Sequence, residues 1–359
     1  MSVSRLACQA RVLLLTLLCA VTASRADEPT ASAPLDAGPQ TYSVVFENDL
    51  FGDSDAQYTN GVKLSWMSPN LKALDGAPDV HRWLAHAIHG LNAFEHAVVG
   101  DSDRAFNIGF TIGQLMFTPN DTQAVRLVED DRPYAGWLFG GLSLVSKNDR
   151  VADTFDVQFG MVGPASLAED AQDLIHDLRG FDTPRGWQNQ LSNEPAFLLY
   201  YERRWRLFDG RLYRQLGYDF IAHAGAAGGT VAVYGAGGGE LRAGWNLPRD
   251  FGTALIRPGG DANAPVTVSG AGGHGRGFGA YGFAAFGGRV VGRNIFLDGN
   301  TFEDSHSVDK KHAVGDLIVG ASVVLDGVKL SYAQVFRTRE FDGQERRHNF
   351  GSVSLSVSF

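Results

Sequence analysis

Apolar and polar positions alternate along much of this chain. In "FGSVSLSVSF", residues 350–359, Val353, Leu355, Val357 and Phe359 alternate with Ser352, Ser354, Ser356 and Ser358. One face of such a strand is apolar and the other carries small hydroxyls, so its two sides meet different surroundings. The same period of two runs through "TYSVVFE", "GVKLSWM", "AFNIGFTIGQLMF", "GGLSLVS", "TFDVQFGMVG" and "AFLLYYERRWRLF". It continues in "YDFIAHAGAAGG", "TVAVYGAGGGELRAGW", "GFGAYGFAAFGGRVV", "HAVGDLIVGASVVL" and "GVKLSYAQVFRTR". With the last segment these predict about a dozen strands.

A soluble sandwich also alternates, and the two ends of the chain decide between it and a membrane barrel. Arg5 and Arg11 flank the start of the apolar run "VLLLTLLCAVTA", and Ser24 and Ala26 stand where a signal peptidase cuts. Residues 1–26 read as a secretory signal peptide, too short to span a membrane, which needs ~20 apolar residues. A secreted chain that stops on Phe359 at the end of an alternating strand looks like the closing strand of a bacterial outer-membrane barrel. The aromatic residues Trp66, Tyr200, Tyr201, Trp205, Tyr213 and Tyr218 crowd strand ends, as interfacial girdles require. Lys63, Lys329 and Glu240 fall on the polar alternate, toward a lumen. The expected fold is all-β, a transmembrane antiparallel outer-membrane barrel of about 12 strands over residues 41–359, with a short helix in an extracellular loop. Residues 27–40 are Pro/Ala-rich and read as a flexible mature terminus.

Composition narrows the chemistry. Both cysteines, Cys8 and Cys19, lie in the signal peptide, which excludes disulfides, thiolate metal sites and cysteine nucleophiles from the mature chain. Losing Arg5, Arg11 and Arg25 takes the formal net charge from -9 to -12, a poor match for nucleic acid or an anionic surface. No nucleic-acid partner and no obligate protein partner is expected.

Three connecting segments stand out. Residues 70–100 contain "DVHRWLAHAIHGLNAFEHA", with an amphipathic stripe of Trp83, Leu84, Ile88 and Leu91. His86 and His89 could ligate a metal there, against the plainer reading of solvated histidines on an interfacial helix. Residues 246–277 are Gly/Pro-rich and read as a mobile loop. Residues 164–191, "PASLAEDAQDLIHDLRGFDTPRGWQNQL", hold a helix that Glu169 and Asp170 open and Gly180 ends, with Leu174, Ile175 and Leu178 as its apolar side. Gln172 and His176, four apart, share one of its faces.

That segment resembles the lipid A 3'-O-deacylase family of the Gram-negative outer membrane, in which a Gln and a His four residues later precede a "WQxQ" turn, here "WQNQ" at 187–190. The opening stretch is similar too: Asn48-Asp49 ends the first strand and "YTNG", residues 58–61, begins the next. "DRPYAGWL" at 131–138, "RNIFLDGNTF" at 293–302 and the final Phe extend the likeness over almost all of the mature chain. The resemblance implies calcium-dependent hydrolysis of the ester holding the 3'-acyloxyacyl chain on lipid A, in the outer leaflet, from the extracellular side. It implies His176 as general base, Asp49 as calcium ligand, and Asn48, Thr59 and Gln172 as groups that orient the cation, water or substrate. Histidine titrates where such a base is needed, and calcium takes oxygen ligands.

The chain departs from the family in its substrate contacts. Asp121, Thr122, Gln123 and Ala124 stand where members can carry Lys and Arg, and Pro184 replaces an aromatic. Asp182 is retained in kind as a substrate contact. Arg126 and Arg132 are candidates for phosphate contact, against solvated or structural roles. Asp53 and Asp55 read as a solvated turn or as further calcium ligands. Two alternatives compete with this reading. An outer-membrane phospholipase would use Ser54 or Ser102 of the two "GDSD" turns as nucleophile, although no "GxSxG" elbow occurs. A passive porin would use its polar wall only to line a lumen.

Overall fold

The computed structural model describes residues 39–49, 57–70, 104–180, 182–253, 255–256 and 277–359. Twelve strands, β1 to β12, close into one antiparallel up-and-down barrel in which each strand pairs with its sequence neighbours and β1 with β12. In chain order they are Thr41–Asn48, Gln57–Met67, Ala105–Thr118, Ala135–Lys147, Val151–Val162, Glu194–Tyr213, Leu216–Gly229, Ala232–Trp245, Phe278–Asn294, Ala313–Leu325, Val328–Arg337 and His348–Ser358. Helix α1 spans Ala168–Arg179 and α2 Ile295–Asp298, with single 3₁₀ turns at Pro164–Ser166 and Trp187–Asn189. Closure leaves no edge strand, so every ladder bond has a partner, as a hydrocarbon environment demands.

The alternation read from the sequence separates the two faces of the wall. Phe110, Ile112, Leu142, Phe159, Leu241 and Leu317 point outward and stand exposed, the apolar band a bilayer would cover. The serines of β12 point inward, where Ser356 accepts a hydrogen bond from Ser43 of β1 at 2.8 Å, and on the neighbouring strands Ser331 of β11 accepts one from Ser322 of β10 at 2.8 Å. Lys63 and Lys329 are buried in the lumen with them. Odd-numbered strands run toward the end where β1 finishes at Asn48, and α1 lies at that end. The opposite end carries Thr41, Ser358 and tight turns such as Asp326-Gly327, both in the left-handed region that a two-residue hairpin uses.

Residues 246–277, expected as a mobile loop, behave otherwise over their described part. The chain leaves β8 at the terminal end and turns into the lumen, where Phe251, Leu255 and Ile256 are buried. Asp250 receives Lys329 Nζ at 2.6 Å and pairs with Arg242, which also clamps Asp219 through Nε at 2.8 Å and Nη2 at 2.6 Å. Burial alone would raise the Asp250 carboxyl, but the adjacent Lys329 and Arg242 hold it well below the usual carboxylate range. Further along, Thr253 donates its backbone N–H to Glu240 at 3.1 Å. Ile256 donates its own to Glu47, near the far end of β1, at 2.7 Å. The described residues of the segment therefore run along the lumen from Asp250, beside Lys329, to Ile256, beside Glu47; Lys329 and Glu240 are among the side chains that the sequence alternation places inside. The region of His86 and His89 lies outside the described residues, as do Asp53, Asp55, Ser54 and Ser102.

Candidate active site

The candidate residues gather on the outer wall of the barrel rather than in its lumen. Along β1, Thr41, Ser43, Val45 and Glu47 face inward and Tyr42 faces out, so Asn48 belongs to the outward alternate, yet it is buried. Its Nδ2 donates to the backbone oxygen of Thr59 at 3.1 Å, joining the end of β1 to the start of β2. Thr59 is the extra residue of a bulge between Tyr58 and Asn60, and its Oγ1 lies 2.7 Å from that of Thr118 at the end of β3. Asp49 follows directly, with 0% of its surface exposed. Three strand ends thus hold a carboxylate, an amide and two hydroxyls together.

Helix α1 packs against the same wall. Gly136 of β4 has no side chain because a Cβ there would stand 2.1 Å from Ser166 Oγ and 2.3 Å from Ala168 Cβ, so only glycine admits the helix start this closely. Gln114 of β3 reaches out to donate to the Ser166 carbonyl at 2.6 Å. Leu167, at φ 58°, turns the chain into the helix without a side-chain cap. The face turned to the protein carries Ala168, Gln172 and His176, all buried. Leu174, expected on the packed side, is 60% exposed. An ordinary surface helix buries its apolar stripe; this one buries its polar face and offers leucine to the surroundings of the wall. Burial and the neighbouring carboxylates of the helix push Glu169 and Asp173 upward.

The two groups connect through neighbouring side chains. Asn48 pairs with Asn60 across β1 and β2, and Asn60 with Met116 across β2 and β3. Met116 packs with Tyr134, Ala168 and Trp187. Two strand spacings, about 10 Å, therefore separate Asn48 from Met116, and a third reaches Gly136, on which α1 begins.

His176 is 5% exposed, and its Nδ1 lies 2.7 Å from the backbone oxygen of Asp182. A carbonyl only accepts, so Nδ1 carries a proton, and in the neutral imidazole the lone pair then falls on Nε2, the atom a general base would use. Asp182 thus serves through its main chain, while its exposed side chain extends to solvent. Gln172 Oε1 accepts from the Trp187 indole N–H at 2.8 Å. Trp187 had been visible only as part of the "WQNQ" turn, and Thr118 and Gln114 had no role in the sequence reading. The usable signal was that Gln114 and Thr118 are polar on the alternate where Phe110 and Ile112 are apolar.

Arg132, a candidate substrate contact, is fully buried on the lumen side. Its guanidinium lies 5.0 Å from the Phe117 ring and 3.6 Å from Glu340. Burial lowers its pKa and Glu340 opposes that, which is the setting of a structural cation. Arg126 is exposed. Asp121 Oδ1 accepts from the backbone N–H groups of Gln123 and Ala124 and shapes the turn that stands where relatives can be basic.

Among the described residues no three His, Asp or Glu side chains gather as a metal cluster. The strand-end set is nevertheless all oxygen: the Asp49 carboxylate, the Asn48 amide and the Thr59 and Thr118 hydroxyls. Hard, oxygen-seeking cations take such donors, with backbone oxygens, water or substrate completing the shell. The donor chemistry fits calcium in kind.

The family described as "Outer membrane protein LpxR" matches residues 12–359. Among solved structures, LpxR from Salmonella typhimurium is 18% identical over 89% of this chain and 100% of that one, with a TM-score of 0.68. The β domain of the Bordetella autotransporter BrkA is 10% identical over 90% of this chain and 99% of that one, at a TM-score of 0.39. No curated protein matches the chain.

Proposed function

Because the chain belongs to the LpxR family of outer membrane proteins, we propose that it is a calcium-dependent lipid A 3'-O-deacylase that works from the extracellular side of the outer membrane. The observation that carries this reading is the orientation of His176, whose Nδ1 donates to the Asp182 carbonyl at 2.7 Å, so that the lone pair of the neutral ring falls on Nε2. It sits on the outer wall of a barrel, where the acyl chains of a membrane lipid are within reach and a soluble ester is not. The buried polar face of α1 and the oxygen-rich ends of β1, β2 and β3 flank the same stretch of wall.

In this mechanism His176 Nε2 takes a proton from water as the water oxygen attacks the ester carbonyl carbon. Collapse of the tetrahedral adduct breaks the bond to the 3'-hydroxyl oxygen of the sugar, and the imidazolium returns its proton there. One water and one ester become one fatty acid and one alcohol. Asn48 braces the end of β1 through Thr59, and the buried Asp49 carboxylate is the residue that would hold calcium, together with oxygens of Asn48 and Thr59. Calcium bound there would polarise the ester carbonyl and offset negative charge developing on its oxygen. The lumen, occupied by residues 246–253, 255 and 256 and their ion pairs, argues against the passive-porin alternative.

The test is mass spectrometry of lipid A incubated with detergent-refolded protein, with calcium and with chelator. Calcium-dependent loss of one acyloxyacyl group, absent in His176→Ala, is the expected result. Lipid A left intact by a folded barrel in calcium contradicts the reading.

A further inference from the structure

We infer that Trp187 is a positioning residue that fixes which end of the Gln172 amide enters the active site, so that Gln172 presents N–H donors to the ester oxygen. The inference rests on the deacylase reading above and concerns the same site.

An amide has a donor end and an acceptor end of nearly equal size, and which end faces a site decides what that site can stabilise. An indole N–H can only donate. The atom 2.8 Å from Trp187 Nε1 must therefore be the Gln172 oxygen, whichever way the amide would turn if left alone. The NH2 end is then directed away from the indole, and it is buried with no hydrogen-bond partner among the described residues. A buried amide donor without an acceptor costs stability unless something else supplies one. It lies one helical turn from His176 on the same face, so an oxygen arriving beside the base can meet it. In ester hydrolysis that oxygen is the carbonyl oxygen, which gains negative charge as the water attacks.

The surroundings hold Trp187 for this task. Its ring packs on Tyr134 with centroids 4.9 Å apart, and the Tyr134 hydroxyl donates to the Thr122 carbonyl at 3.2 Å. Gly186 lets the turn approach this closely, because a Cβ there would stand 2.4 Å from the Tyr134 ring. Arg185 N–H donates to the Thr122 carbonyl at 2.8 Å, Asn189 Nδ2 to the Val125 carbonyl at 3.0 Å and Leu191 N–H to the Tyr134 carbonyl at 2.9 Å. The indole thus arrives on a turn laced to the β3–β4 connection, independent of α1, and reads the Gln172 amide from a fixed position.

The experiment compares full-length refolded wild type with Trp187→Phe, Gln172→Ala, Gln172→Glu and the Trp187→Phe/Gln172→Ala double variant. Folding is checked by heat-modifiable migration. Trp187→Phe keeps a six-membered ring beside Tyr134 and removes the N–H together with the pyrrole part of the indole, so Gln172→Glu, which leaves Trp187 whole, serves as its control. Trp187→Phe should lower kcat about tenfold with little change in KM, and Gln172→Ala about a hundredfold, the scale of losing an oxyanion donor. The double variant should be no slower than Gln172→Ala, because Trp187 acts only through that amide. Gln172→Glu still accepts from the indole but offers no N–H, so it should be as slow as Gln172→Ala. The indole 15N–1H resonance of Trp187 should move in Gln172→Ala, whatever the activity. Wild-type rates in Trp187→Phe or in Gln172→Glu, or additive losses in the double variant, overturn the inference. Should Trp187→Phe not fold, Gln172→Glu and the indole resonance still decide it. A wild type that leaves lipid A intact while its indole responds to Gln172→Ala overturns the deacylase reading, and the catalytic part of this inference with it.

Discussion

The lumen and the outer wall near α1 are both polar, but their polar groups are arranged on opposite terms. In the lumen, charge meets charge: Arg337 donates to Asp316 at 2.8 and 3.1 Å, Arg289 to Glu340 at 3.2 Å, and Asp250 lies between Lys329 and Arg242. On the outer wall near α1 the buried groups are Asn48, Thr59, Thr118, Gln172 and His176, with Asp49 following β1 and Asp173 on the helix beside His176. Paired charges of this kind hold a structure together. A donor, a base and oxygen groups set where lipid would otherwise lie are what the proposed reaction requires. Buried polarity alone therefore does not mark a site.

The comparison breaks most sharply at His176. Replacing it with Ala should cost about three orders of magnitude in deacylation, within the range for a lost general base, and leave the melting temperature unchanged. Asp49→Asn comes next. It should lower activity a hundredfold or so and flatten the response to added calcium, read by titrating the cation against fatty-acid release.

Asp250→Ala probes the other side. It leaves Arg242 and Lys329 facing each other without their carboxylate, and urea unfolding should show a loss of about 3 kcal/mol, the scale of a broken buried pair. Thr118→Val removes the hydroxyl 2.7 Å from Thr59 and should slow deacylation several-fold, as expected for one hydrogen bond. Asp173→Asn is the smallest. Burial and Asp177 raise the Asp173 carboxyl, so its contribution to stability is present below the ordinary carboxylate value and is lost as pH rises through the raised one. The variant should melt about 1 °C higher than wild type at neutral pH and no higher in acid, a small effect because the group is largely solvated.

The barrel was legible because the strands carry their own two-residue period, which the 20-residue β6 keeps over its first nine residues. The pairing of Gln172 with His176 was legible for a similar local reason, the spacing of one helical turn. What stayed hidden depends on distant partners. "NLPRDFG", residues 246–252, reads as turn chemistry, and nothing local says that Asp250 meets Lys329, 79 positions away. The inward charges Lys329, Glu240 and Arg242 were the available hint, since each needed a counterpart inside. The placement of α1 was hidden likewise: Leu174 suggested an apolar packed face, whereas glycine at 136 and polar residues at 114 and 118 mark where the wall receives a polar one. The choice between phosphate contact and structural partner for Arg132 could not be made locally, because its neighbour Glu340 stands more than 200 residues later.

The account rests on a division of labour between outer wall and lumen, and the measurement that tests it most directly is the deacylation rate per folded barrel, taken side by side for wild type, His176→Ala and Asp250→Ala. His176→Ala should be folded and inert, and Asp250→Ala less stable but as fast as wild type for every barrel that remains folded. An active His176→Ala protein, or a folded Asp250→Ala barrel without activity, would contradict it.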